Sequence, residues 1–148
     1  MKLDDVLEMW KTDCKINEVD LGTSSLETAQ LHGKYVELLA QAKLKKKIAE
    51  QKQMTLLKSK FLYYNGKLSQ EQLEEYGWKP DPLEGIRRPS RQDMEYFYNA
   101  DKDIQKTEAE ISYYTVLIDT VKDIVDVLKW RHQTIRNILE FRKFEAGF

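Results

Sequence analysis

The sequence predicts an all-α protein of long helices, and three observations carry that reading. All three prolines, Pro80, Pro82 and Pro89, fall in one short stretch, GWKPDPLEGIRRPS, so nothing elsewhere removes a helical N–H. From Ser24 to Tyr64 only Gly33 interrupts a run of helix-tolerant residues. Beyond Ile104 apolar residues recur at heptad spacing, and no segment shows the sustained period-2 alternation expected of a strand.

Taken in order, residues 3–12 suit a short helix. A turn is expected around Asp20–Thr23, after which Ser24-x-x-Glu27 has the form of a capping box opening a long helix. Asn65-Gly66 supplies the left-handed residue that closes it, and Ser69-x-x-Gln72 opens a short helix ending at Gly77. The expected division is therefore an N-terminal helical region, residues 1–77, a proline- and glycine-rich connector, residues 78–90, and a C-terminal helical arm, residues 91–148.

The arm is the most regular part. Ile104, Ile111, Ile118, Val125, His132 and Leu139 share one heptad position, and Thr107, Tyr114, Val121, Leu128, Ile135 and Arg142 the position three later. Leu117, Ile124 and Ile138 add a third apolar column, a wider face than a two-stranded seam requires. A short N-terminal half is not expected to cover it. Ile104, Ile111, Tyr114, Ile118, Val121, Val125, Leu128, Ile135 and Leu139 are therefore expected to meet other copies of the chain, a helix folded back on its own chain being the alternative.

At 148 residues the chain suits one domain, or one with an extended arm. Charged residues make up 33%, above the usual quarter. No run of about 18 apolar residues is present, so no membrane span is expected. The start, MKLDDVLEMWKTDC, lacks the apolar core of a signal peptide, and a single cysteine, Cys14, excludes an internal disulfide, which reads as a reducing cytoplasm. Neither GxGxxG nor a P-loop occurs, nor CxxC, HExxH or EF-hand spacing. Asp101 and Asp103 point to different sides of a helix, and His132 at a heptad position reads as a register-setting polar residue. No catalytic residue, metal or cofactor is expected.

Charge is unevenly placed. Residues 43–67 hold eight lysines (Lys43, Lys45, Lys46, Lys47, Lys52, Lys58, Lys60 and Lys67) against one acid, Glu50, a net +7 in a chain whose total is −1. Soluble surfaces usually intersperse their signs. Phe61, Tyr63 and Tyr64 follow the last lysines of the helix, and cations beside rings are the chemistry of sequence-tolerant single-strand binding. Three readings stand at this point: nucleic-acid binding, docking of an acidic protein by a coiled-coil scaffold, or a solvated helix face. An anionic membrane surface is a weaker fourth, because the lysines do not frame a clean apolar face. The three rings fit either stacking on bases or a core.

Three segments in fixed order, LLKSKFLYYNG (56–66), ADKD (100–103) and FRKFEAG (141–147), resemble the UvsY family, recombination mediators of tailed bacteriophages, and the likeness runs over nearly the whole chain. The basic segment matches at Leu57, Lys58, Ser59, Lys60, Phe61, Tyr63, Tyr64, Asn65 and Gly66. Lys60 stands where arginine is familiar, which keeps the charge and loses the planar fork. The connector is longer than in the familiar member and adds Lys79, Arg87, Arg88 and Arg91, which extend the basic track. The resemblance implies a ring-like homo-oligomer, a hexamer or heptamer, in the cytoplasm of the infected host. It implies binding of single-stranded DNA, with help to a RecA-like recombinase (UvsX) in displacing the phage single-strand-binding protein. It further implies that Lys58 and Lys60 carry DNA binding and that the C-terminal helices carry assembly.

Overall fold

A computed structural model describes every residue except Glu84, Ile86, Arg87 and Phe148. The described residues form five α-helices and no strand: α1 Leu3–Asp13, α2 Leu21–Tyr64, α3 Gln70–Tyr76, α4 Met94–Ala100 and α5 Lys102–Glu145. Local chemistry accounts for most of the boundaries. Ser69 and Gln72 make the reciprocal capping box at α3, their backbone N–H groups meeting the partner's side chain at 3.0 and 3.2 Å. At the end of α2, Gly66 adopts φ 67° and the Lys67 N–H donates to the Leu62 carbonyl at 2.9 Å.

Two boundaries differ from expectation. Helix α2 opens at Leu21, one turn earlier than the Ser24 box, because Asp20 caps it: its carboxylate accepts the Thr23 N–H at 3.0 Å and the Thr23 hydroxyl at 2.6 Å. Ser24 is then buried, exchanging hydrogen bonds with the Asn17 backbone. The C-terminal arm is not one helix either. Asp101 is extended (φ −72°, ψ 121°), and its Oδ1 accepts the N–H groups of Asp103 and Ile104 at 2.9 and 3.1 Å. It ends α4 and caps α5.

The chain divides into two compact units, Met1–Lys45 with Tyr114–Phe148, and Lys46–Tyr113. The boundary therefore crosses α2 and α5 rather than following the connector, since a long helix gives different stretches of its face to different cores.

In the first unit Val6 of α1, Tyr35 and Ala42 of α2, and Leu117, Ile118, Val121, Ile124, Val125 and Leu128 of α5 share one core. Tyr35 is fully buried, meets the Trp10 ring edge-on at 5.5 Å and donates its hydroxyl to Asp13 at 2.8 Å. This corrects the assignment of the heptad face to assembly. Ile118, Val121, Val125, Leu128 and Ile135 are buried within one chain, as is Ile104 in the second unit; Ile111 and Tyr114 are half-buried, and Leu139 is exposed. The buried face also narrows to one side of the heptad. His132 is exposed while Arg131, one residue earlier, is buried and donates to the carbonyls of Asp13 and Ser24 at 3.1 and 3.5 Å. Arg131 continues the column of Leu117 and Ile124, so toward the C-terminal end the buried face lies on that column and on Leu128 and Ile135 rather than on the column of Ile118 and Val125.

The second unit is an aromatic core. Tyr63, Tyr64, Leu83 and Met94 are buried, with Leu68, Leu73, Trp78, Phe97 and Tyr98 against them. The connector belongs to it: Leu83 is buried, the Tyr63 hydroxyl donates to the Lys79 carbonyl at 2.7 Å, and Asp81 accepts the Gly85 N–H at 2.9 Å. Proline excludes helix there without excluding packing.

Candidate nucleic-acid interface

The end of α2 sorts its residues by direction. The core of the second unit lies on the side of Ala49, Lys60, Tyr63 and Tyr64, all buried. Lys60 is therefore not on the surface. Its ammonium lies 3.1 Å from Asp101, 2.8 Å from Asp103 and 3.9 Å from the centroid of the Trp78 ring. The Asp101 Oδ2 that faces Lys60 also accepts the Tyr64 hydroxyl at 2.7 Å. Burial pushes the Asp101 carboxyl up, but the Tyr64 hydroxyl, the Ile104 N–H and Lys60 together outweigh it and hold the group below its usual value. Burial first, then the bond to Asp101, pushes the Tyr64 phenol up. A compact ammonium between a ring face and two carboxylates is a site that lysine fills without arginine's fork.

The opposite side of α2 is open. Lys47 and Lys58 are exposed there, Lys52 is exposed on the flank, Lys46 is half-buried toward the core side and Lys67 is exposed just past the helix end; none has an ion-pair partner among the described residues. At 100° per residue Lys47 and Lys58 project within about 20° of each other, with Met54 and Phe61 alongside. Both apolar side chains are exposed. Lys58 rides between two cavities. One, of about 460 Å³, is lined by Ile48, Lys52, Leu56, Tyr76 and Trp78 among others, the Tyr76 and Trp78 rings stacking at 4.5 Å. The other, of about 530 Å³, is lined by Phe61, Asn65, Pro89, Arg91, Met94 and Tyr98. Unpaired cations between aromatic-walled hollows can hold a phosphate chain and receive flat apolar groups beside it.

A profile of the family described as "Recombination, repair and ssDNA binding protein UvsY" matches residues 9–148. The chain belongs to the UvsY family. The recombination protein uvsY of Enterobacteria phage T4 is 25% identical over 147 residues, spanning 99% of each chain. The crystal structure of the bacteriophage T4 recombination mediator protein UvsY in lattice type II matches with a TM-score of 0.83 at 25% identity over 99% of each chain. Its lattice type IV form gives 0.80 at 24% identity, over 98% of this chain and 99% of that one. The all-α architecture is that of the UvsY fold.

Within this UvsY-family chain, the two basic residues singled out by the resemblance separate. Lys58 is exposed, whereas Lys60, Tyr63 and Tyr64 are buried in the second unit's core, which removes them from the surface a strand can touch. Phe61 is exposed beside the open lysines, and Lys67 Nζ lies 6.0 Å from its ring centroid. Arg88 and Arg91 are exposed at the same end of α2; Arg87 lies outside the described residues. Lys43 and Lys45 are exposed in the first unit. Sequence reasoning missed Tyr76, Trp78 and Tyr98 as cavity walls and Asp101 with Asp103 as partners of Lys60. The signal for the two aspartates was present in ADKD, one of the three segments that carry the likeness. Among the described residues no group of three His, Cys, Asp or Glu is placed to hold a metal ion, and no helix is long and apolar enough to cross a membrane.

Proposed function

We propose that this UvsY-family protein is a recombination mediator that binds single-stranded DNA on the Lys58 side of α2. As a homo-oligomer it would promote loading of a RecA-like recombinase while the phage single-strand-binding protein is displaced, in the cytoplasm of the infected host. The observation that carries the reading is the set of exposed lysines, Lys47, Lys52, Lys58 and Lys67, which have no ion-pair partner among the described residues and stand beside aromatic-walled cavities. Lysines unneutralised by the protein gain most from phosphate, because the strand's condensed counterions are released on contact. Lys60 supports this surface from beneath, through Asp101, Asp103 and Trp78, rather than touching DNA.

Self-association is assigned to the outer side of α5, away from the side that carries Leu139. Val116, Val127, Trp130, Phe141 and Phe144 are all exposed, and their spacings of three and eleven residues place them along one side of the helix. Several copies convert later strand contacts into intramolecular ones, raising avidity by about 10² to 10⁴ without nucleotide hydrolysis.

The test is anisotropy of a labelled oligo-dT over a salt series, with matched duplex as control. Wild type should bind in a salt-sensitive way, and Lys47→Ala/Lys58→Ala should flatten the log–log slope by about 0.7 for each phosphate no longer neutralised. A strong preference for an acidic protein over the oligonucleotide would instead place these lysines in a protein interface.

A further inference from the structure

The cavity at the end of α2 has a more specific construction than the lysine face requires. Its walls are flat and apolar. Phe61 is 46% exposed although Tyr64, three residues on, lies in the aromatic core, and the Tyr98 ring is braced edge-on against Tyr64 at 6.3 Å and 69°. Met94 is buried behind them. At about 530 Å³ the space falls in the range of roughly 300–1,000 Å³ typical of small-ligand sites.

Its polar groups are few and directed. The Asn65 amide nitrogen donates to the Phe61 carbonyl at 2.7 Å, which fixes the amide and leaves its oxygen without a partner among the described residues. The rim is cationic. Arg91 lines the cavity, Lys67 Nζ stands 6.0 Å from the Phe61 centroid, and the Arg88 guanidinium rests against Gly66. A side chain at Gly66 would place its Cβ 3.1 Å from that guanidinium, so glycine serves both the left-handed turn and the approach of the cation. None of the six lining residues is acidic. The neighbouring cavity differs, for Trp78 there already holds the Tyr76 ring at 4.5 Å and the Lys60 ammonium at 3.9 Å.

We infer that the Phe61–Tyr98 cavity receives one unstacked base of a bound single strand, with Asn65 accepting from the base and Arg88, Arg91 and Lys67 flanking its phosphates. Aromatic walls fit a base, and a cationic rim fits the polyanion that carries it. All four DNA bases present an N–H on the Watson–Crick edge and a π-face, so such a site holds a base without selecting one. The inference rests on the strand-binding reading above.

The experiment compares oligo-dT with an abasic oligomer of equal length and charge, across a salt series, on wild type, Phe61→Leu and Lys58→Ala. Wild type should bind the abasic strand about 5- to 140-fold more weakly for each base site the strand spans, at an unchanged salt slope. Phe61→Leu should remove most of that difference, and Lys58→Ala should flatten the slope while leaving the ratio intact. Equal wild-type affinity for the two strands overturns the base site and leaves strand binding standing, without reliance on any variant. A full difference retained in Phe61→Leu overturns it as well, placing the base elsewhere. Failure of wild type to bind either strand overturns both readings together.

Discussion

Lys58 and Lys60 are two residues apart in one helix, which turns them about 200° from each other. Lys58 faces solvent, and Lys60 sits between Asp101, Asp103 and the Trp78 ring. Removing one member of a buried ion pair strands its partner, at a cost of about 3–5 kcal/mol. Lys60→Ala should therefore lower stability by that order in chemical denaturation, while Lys58→Ala stays within about 0.5 kcal/mol of wild type. Equal stability of the two variants would refute the buried role. The same cluster sets the response to pH. The Asp101 carboxyl is held below its ordinary value, so its contribution is complete above the unfolded value of 3.8 and is lost as pH falls through the lower folded one. Tyr35 and Tyr64 shift the other way, both raised by burial first and then by a bond to an aspartate. The unfolded chain ionises these phenols near 10.0 and the folded chain does not, so their contribution is complete below that pH and declines above it. Tyrosinate absorbance followed alongside helix content should show these two phenols ionising only as helix is lost.

Helix α5 tests how far a repeat can be read from letters. Its heptad columns are legible from Ile104 onward, and their breadth announces a buried face. The partner of that face is not. A repeat of apolar residues specifies burial, and α1 and α2 of the same chain supply it through Val6, Tyr35 and Ala42. Nor is each column buried along its whole length, as exposed His132 beside buried Arg131 shows. Leu128→Ala, in the core, should cost about 2–5 kcal/mol in denaturant titration, whereas His132→Ala should change stability by less than about 0.5 kcal/mol. A histidine variant as damaging as the leucine one would restore the strict heptad.

For the whole molecule, assembly and strand binding are coupled on the proposed reading. Trp130→Glu with Phe141→Glu places charge on the exposed side of α5, where neither side chain supports the core. Sedimentation should then show smaller species with unchanged helix content, and affinity for a long single strand should fall toward that of one subunit, by about 10² to 10⁴. Unchanged affinity in a dissociated variant would separate the two properties and remove avidity from the mechanism.

The helical class, the caps at Ser69 and Gly66 and the concentration of lysines in residues 43–67 were legible without coordinates, because propensity, turn chemistry and charge are local properties of neighbouring residues. The likeness in LLKSKFLYYNG, ADKD and FRKFEAG pointed to the family on the same local footing. Tertiary structure alone decided which lysine is a surface cation and which a core one, and which apolar column meets this chain rather than another. Both depend on the direction from which distant segments arrive: Asp101 and Trp78 upon Lys60, and α1 and α2 upon α5. Linear spacing can place two residues on opposite sides of a helix; only the fold determines which side is the inside.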